Sequence, residues 1–198
     1  MDTKNIGKGK LHIKKGLVVA IILIIIAFIV LNPLAFIKPG EYGVVVNSIT
    51  GKIKQNYLDS GWHFTIPIIH EITTYPVTKR FYSIEKDPKK WIKGEDTGLL
   101  VPTNDNQHVH IDITIAYQLK SENLIDIYKA YYGNNINYIE SNMLDIILRH
   151  SITSIISKYS MLDIYSSNRT KIQEEIIMDL NEKQNIIGFE FVSAFISD

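Results

Sequence analysis

The sequence predicts an α+β body carried behind an N-terminal membrane-spanning helix, and three observations lead there. Gly16 to Ile37 is a run of 22 residues without a charge, in which 13 of the 15 residues from Leu17 to Leu31 are Ile, Leu, Val or Phe. The next sixty residues are rich in β-branched and aromatic runs broken by Gly and Pro, a strand-and-turn pattern. The last eighty carry apolar residues at helical spacing between two further strand-like runs.

The apolar run comes first. At about 1.5 Å per residue, 22 residues span roughly 33 Å as a helix, against a hydrocarbon layer of about 30 Å. A core helix of that length would show a polar face, and this one has none. A cleavable signal peptide would have a shorter apolar stretch and a small-x-small site; Asn32-Pro33-Leu34-Ala35-Phe36-Ile37 is bulky throughout. The reading is an uncleaved anchor over 16–37, with Leu17, Ile21, Ile24, Phe28 and Leu31 as its transmembrane anchor residues. Pro33 also allows a segment that turns back instead of crossing.

Charge gives the orientation. Residues 1–15 form a basic tail with Lys4, Lys8, Lys10, Lys14 and Lys15 against Asp2, net +4, whereas residues 38–198 hold 16 basic and 20 acidic side chains, net −4. The positive-inside rule places the N-terminus in the cytoplasm or the matrix and residues 38–198 on the opposite face. That membrane is the plasma membrane in a prokaryote or the mitochondrial inner membrane in a eukaryote. The absence of cysteine excludes disulfides and thiolate chemistry.

After the anchor, 38–100 reads as strand-rich and 101–198 as mixed. "EYGVVVNSITGKI" is a hairpin turning at Thr50-Gly51, and "GWHFTIPIIHEITTYPV" gives short strands interrupted at Pro67 and Pro76. "DPKKWIKGEDTG" is a charged loop. "HVHIDITIAYQL" alternates, with Val109, Ile111, Ile113, Ile115 and Tyr117 on one face and His108, His110, Asp112 and Thr114 on the other. Three helices are expected. One is N-capped by Ser121, has the stripe Leu124, Ile127, Tyr128, Tyr131 and ends at Gly133. A second, over about 135–159, carries Ile139, Met143, Ile146, Ile147 and His150; a third, over about 168–185, carries Ile172, Ile176 and Leu180. Gly188 closes the third, and "FEFVSAFIS" ends the chain as a strand.

These motifs, in this order, resemble the stomatin–prohibitin–flotillin superfamily, the SPFH or band 7 domain, in its prohibitin-like branch. The resemblance rests on "IKPGEYGVVVNSITGKI", "LDSGWHFTIPIIHEI", "VPTNDNQHVHIDITIAYQL" and the Arg-containing helix that leads through Gly188 into the last strand, and it covers nearly all of residues 17–198. It implies a non-enzymatic, membrane-anchored scaffold that forms homo-oligomers, or hetero-oligomers with a paralogue, organises membrane microdomains and modulates membrane proteins such as a membrane-bound protease. In the family the last strand is followed by a long coiled-coil helix; the sequence given stops at Asp198, so a truncated or domain-only member is expected, and ring assembly stays open. The alternative is a monomeric anchored adaptor that binds one membrane protease or transporter.

Candidate chemistry is sparse. His108, His110 and Asp112 could supply three metal ligands from one strand face, but the same alternation makes a solvated face. A hydrolase built on that face is the least favoured reading. His63 and His70 could meet across the break at Pro67, and His150 falls on an apolar stripe as a hydrogen-bonded core residue. Lys86, Lys89, Lys90 and Lys93 around Trp91 suit a solvated loop or lipid headgroups. No phosphate loop, nucleophile motif or nucleic-acid signature occurs, and no catalytic residue, cofactor or metal site is assigned. Phe64, Pro67, Ile68 and Ile69 are the candidate contacts to membrane lipid or a partner.

Overall fold

The computed structural model describes residues 15–86, 98–166, 168–184 and 186–197. Residues 1–14 of the basic tail and the Lys89–Lys93 segment with Trp91 lie outside the described residues.

The first helix, α1 (Lys15–Leu31), is shorter than the sequence suggests. Asn32 adopts φ 41° and Pro33 cannot continue the backbone ladder, so the helix stops and 34–37 become a strand, β1 (Leu34–Ile37). The expected helix over 16–37 is corrected accordingly: its last four residues belong to a sheet. The 17 residues of α1 measure about 25 Å. Among the described residues, no helix is long and apolar enough to cross a membrane.

Two antiparallel ribbons follow. β1 pairs with β3 (Gly61–Phe64), and β2 (Glu41–Asn47) pairs with β4 (His70–Pro76). The hairpin return after Gly51 is loose, with single bridges from Val46 to Ile53 and Gly43 to Leu58 instead of a full strand. Gly43 is where the ribbons touch: a Cβ there would stand 2.7 Å from Ile37 Cδ1 and 3.0 Å from Ile72 Cγ2.

The rest is one sheet with helices on one face. β7 (His108–Leu119) pairs with β5 (Arg80–Ile84), β6 (Leu99–Pro102) and β8 (Phe189–Ser197), all antiparallel. β7 alternates as its sequence does: Val109, Ile111, Ile113, Ile115 and Tyr117 are buried, His108 and His110 exposed. Over that buried face lie α2 (Leu124–Ala130), α3 (Ile136–Ile139), α4 (Asp145–Ile156), the short α5 (Met161–Ile164) and α6 (Arg169–Asp179). Val44 and Tyr75 of the β2–β4 ribbon join the same core. Tyr75 Oη also donates to Asn134 O at 2.9 Å.

Local chemistry sets the ends. Asn135 caps α3 by accepting from Tyr138 N–H at 3.0 Å, and Ser160 with Asp163 forms a capping box on α5. Ser121 does not cap: it opens a 3-10 turn, Ser121–Asn123, whose preceding residue is Lys120, with no side-chain cap. Gly188 sits at φ 79°, and a Cβ there would lie 2.4 Å from Ile127, so only glycine lets β8 enter against α2.

The second expected stripe is out of phase. α3 runs into α4 through a π-helical turn, Glu140–Leu144, which adds one residue to a turn. The buried series is therefore Ile139, Leu144, Leu148, Ile152 and Ile155, while Met143, Ile146 and His150 face solvent. His150 is not a core residue. A second π-helical turn, Leu180–Gln184, follows α6.

Candidate functional site

The feature with most functional content is the β1–β3 ribbon, because its amphipathicity is inverted. Strand residues alternate between two faces, so Leu34 and Phe36 share one face of β1, and their partners Phe64 and Trp62 share the same face of β3. All four are exposed: Phe36 by 51%, Trp62 by 69% and Phe64 by 70%, with Leu34 close behind. Phe36 and Trp62 form a tilted ring pair with centroids 4.9 Å apart. The opposite face carries Ala35, His63, Gly61 and Ile37; only Ile37 is a large apolar side chain, and it is buried against Gly43.

The ribbon is fixed to the exit of α1. Thr65 is buried and donates from its N–H to Pro33 O at 2.7 Å, binding the end of β3 to the residue that terminates the helix. Beyond it, Ile66 to Ile69 make a tight turn in which Ile69 N–H and His70 N–H both donate to Ile66 O at 2.8 Å. That turn exposes Ile66 and Ile68. The turn after β2 lies alongside, since Ser48 N–H donates to Ile69 O at 2.7 Å, and it presents Ile49. Leu34, Phe64, Ile66, Ile68 and Ile49 therefore gather at the end of the body where α1 leaves it. Soluble monomers rarely leave so many large apolar side chains together in water.

Of the four contact residues expected from sequence, Phe64, Pro67 and Ile68 are exposed and Ile69 is half-buried. Of the anchor residues expected from sequence, Leu17, Ile21 and Ile24 are exposed along α1; the side chains of Phe28 and Leu31 lie outside the described residues. Sequence reasoning missed Leu34, Phe36, Trp62 and Ile66. The available signal was the period-two spacing in "LAFI" and "GWHF", hidden because the first was absorbed into the apolar run.

The other candidates resolve differently. His63 and His70 do not bond one another: His63 Nε2 contacts Asp59 O at 2.7 Å, and His70 Nδ1 accepts from Ile66 N–H at 3.5 Å. Asp112 accepts from Lys86 N–H at 3.0 Å, which anchors the start of the loop beyond β5. Among the described residues, no group of three or more His, Asp or Glu is placed to hold a metal ion.

A partly buried polar cluster joins sheet to helix. Glu140, at the start of the π turn, accepts from Arg80 Nε at 2.9 Å and Nη2 at 3.1 Å, and from the Tyr117 hydroxyl. Asp145, just after the turn, accepts from the Tyr82 hydroxyl at 3.1 Å and from Arg149 Nε at 2.9 Å. Arg80 and Tyr82 are two apart on β5, about 6.6 Å along a strand. Glu140 and Asp145 are five apart; the extra residue of the π turn gives them about the 40° offset of an i,i+4 pair, whereas a regular α-helix would splay them by about 140°. The turn thus aligns two carboxylates with two donors on one strand. Burial first, and then the Glu140 hydrogen bond, push the Tyr117 hydroxyl well above its usual range. Tyr82 is pushed up to about 12 by burial and then by Asp145.

A family model described as "SPFH domain / Band 7 family" matches residues 35–198, from the second residue of β1 to the last residue of the sequence. No curated protein matches the chain significantly.

Proposed function

The chain belongs to the SPFH/Band 7 family, a family generally linked to membrane scaffolding, and from that premise we propose that it is a membrane-held, non-enzymatic scaffold whose β1–β3 ribbon lies in the bilayer interface. One observation carries the reading: an apolar ribbon face, aromatic at its centre, hydrogen-bonded to the end of an apolar helix. α1 measures about 25 Å, some 5 Å less than a hydrocarbon core of about 30 Å. Leu34, Phe64, Ile66 and Ile68, immediately beyond its end, supply further apolar depth on the same side. Trp62 and Phe36 stand two residues back along their strands, about 7 Å away, a suitable depth for an aromatic belt. The lysine-rich tail before α1 supports an orientation with the N-terminus on the cytoplasmic or matrix side and the body on the other.

Confinement to a plane raises the effective concentration of the bodies, so weak lateral contacts suffice for assembly. The assembly recruits membrane proteins, a membrane-bound protease among them.

Membrane fractionation with crosslinking tests this. The full chain should stay in the membrane pellet after a carbonate wash and give a crosslinked ladder. Replacing Trp62 and Phe64 together by Glu forfeits about 1.5–3 kcal/mol for each side chain fully buried in lipid. The double variant should shift measurably toward the soluble fraction or become extractable at lower detergent. Wild-type chains found entirely in the supernatant would refute the anchoring, and a strictly monomeric species in membranes would refute the scaffold.

A further inference from the structure

Among the described residues β8 pairs with β7 along one side and with no strand along the other. Its outer side is nonetheless occupied at two points. The Asn181 carboxamide bonds both main-chain groups of Phe191: Nδ2 donates to Phe191 O at 2.8 Å, and Phe191 N–H donates to Oδ1 at 3.0 Å. One donor and one acceptor exchanged with a single residue is the pattern that a facing residue of an antiparallel strand would provide. Asn181 reaches this position from the π turn Leu180–Gln184, directly after α6 packs on β8. Further along, Arg169 Nη2 donates to Ile196 O. Between these points Val192 to Phe195 run beside an apolar cleft of about 430 Å³, where Met178, Val192 and Phe195 are exposed.

A strand edge flanked by exposed apolar side chains is a template for pairing with another strand, and proteins blunt such edges with side chains or covers. Chains held in one plane meet often, which makes an unguarded edge more hazardous. We infer that Asn181, supported by Arg169, guards the outer edge of β8: its carboxamide stands where a neighbouring backbone would stand and prevents β8 from pairing with β8 of a second copy. Assembly of this protein is thereby directed to other surfaces. The inference does not require the membrane reading, because the edge and its two plugs belong to the folded body.

The chain has no cysteine, so one introduced cysteine gives a clean reporter. Full-length Ser193→Cys protein, in its membrane or in detergent, is treated with a short bis-maleimide alone and in combination with Asn181→Ala or Asn181→Asp. Alanine removes both hydrogen bonds to the N–H and C=O of Phe191 and should raise crosslinked dimer by at least about tenfold, the change that regaining a single one of them across the dimer represents. Aspartate keeps the acceptor and adds a charge at the edge, so it should leave dimer at the parental amount. A thermal melt of each variant accompanies the crosslinking. Parental crosslinking in both variants overturns the inference. Equal increases in both overturn it as well, since lost stability alone would then account for the contact.

Discussion

Replacing Glu140 tests whether the carboxylate cluster fastens the helix layer to the sheet. Glu140 receives two N–H bonds from Arg80 and one O–H bond from Tyr117, and its side chain is 12% exposed against 32% for Arg80. A hydrogen bond to a charged group is worth about 1.5–3 kcal/mol net, and breaking a fully buried ion pair from one side costs about 3–5 kcal/mol. Water reaches Arg80, so the lower end applies. Glu140→Gln keeps the Tyr117 bond and one Arg80 bond but loses the charge, and should cost about 2 kcal/mol. Glu140→Ala also leaves a cavity and strands the Tyr117 hydroxyl, for about 3–4 kcal/mol. Tyr117→Phe should cost about 1 kcal/mol alone and less in the Glu140→Ala background, where its acceptor is already gone. Denaturant titration of the full chain in detergent, followed by near-UV circular dichroism, measures all four variants. A Glu140→Gln protein within about 0.5 kcal/mol of the parent would refute the account.

Two further outcomes follow from the same region. Deleting Asn142, an exposed residue inside the π turn, should restore a regular α-helix while keeping Ile139, Leu144 and Leu148 in line, changing stability by less than about 1 kcal/mol. Deleting the equally exposed Ser154 in regular α4 would instead rotate Ile155 and Ile156 by about 100° out of the core and cost more than about 3 kcal/mol; similar costs for both deletions, in the same denaturant assay, would refute the phase argument. For pH, the Tyr82 hydroxyl is held at about 12 against an ordinary value of about 10. Its folded pKa is the higher one, so its contribution is intact below pH 10 and disappears as pH rises through 12. Tyr82→Phe should make the alkaline loss shallower by the Tyr82 share while the upward-shifted Tyr75 and Tyr117 keep theirs, read as denaturation midpoint against pH alongside tyrosinate absorbance.

What could be seen in the sequence depended on whether a pattern was periodic in one regime only. β7 was legible because its two faces differ in polarity at every step from His108 to Thr114. The helix Arg169–Asp179 was legible because Ile172, Ile176 and Leu180 keep a four-residue step to its end. The α3–α4 segment was not, because Met143, Ile146 and Ile147 make an equally apolar stripe one residue away from the buried one. Contacts from residues sixty-odd positions away in sequence, among them Arg80 and Tyr82 on Glu140 and Asp145, select between them. β1 was hidden for a related reason: "LAFI" is apolar enough to continue a helix, and pairing with Gly61–Phe64 decides otherwise. Edge protection by Asn181 had no local signal, since its partner Phe191 lies ten residues away across a turn.

The inverted ribbon has an internal control. Exposed large apolar side chains also stand on the main sheet, at Phe81, Leu100, Val192 and Phe195, but its central strand β7 turns His108 and His110 outward and its isoleucines inward. β1 and β3 do the opposite within the same chain, with Leu34, Phe36, Trp62 and Phe64 outside and Ala35, Gly61 and His63 behind them. Slack packing does not explain the exposed face, because Ile37 and Thr65 at the two ends of the ribbon are buried and hydrogen-bonded or tightly apposed. A one-residue slip in register would reverse the faces at once. The Thr65–Pro33 bond and the close Ile37–Gly43 approach hold the ribbon in the register that costs most in water. A fold that fixes that register needs an apolar neighbour for those side chains. The apolar element adjoining the ribbon is α1, tied to it through Pro33, and under the function proposed above the neighbour of those side chains is the bilayer that would receive the helix.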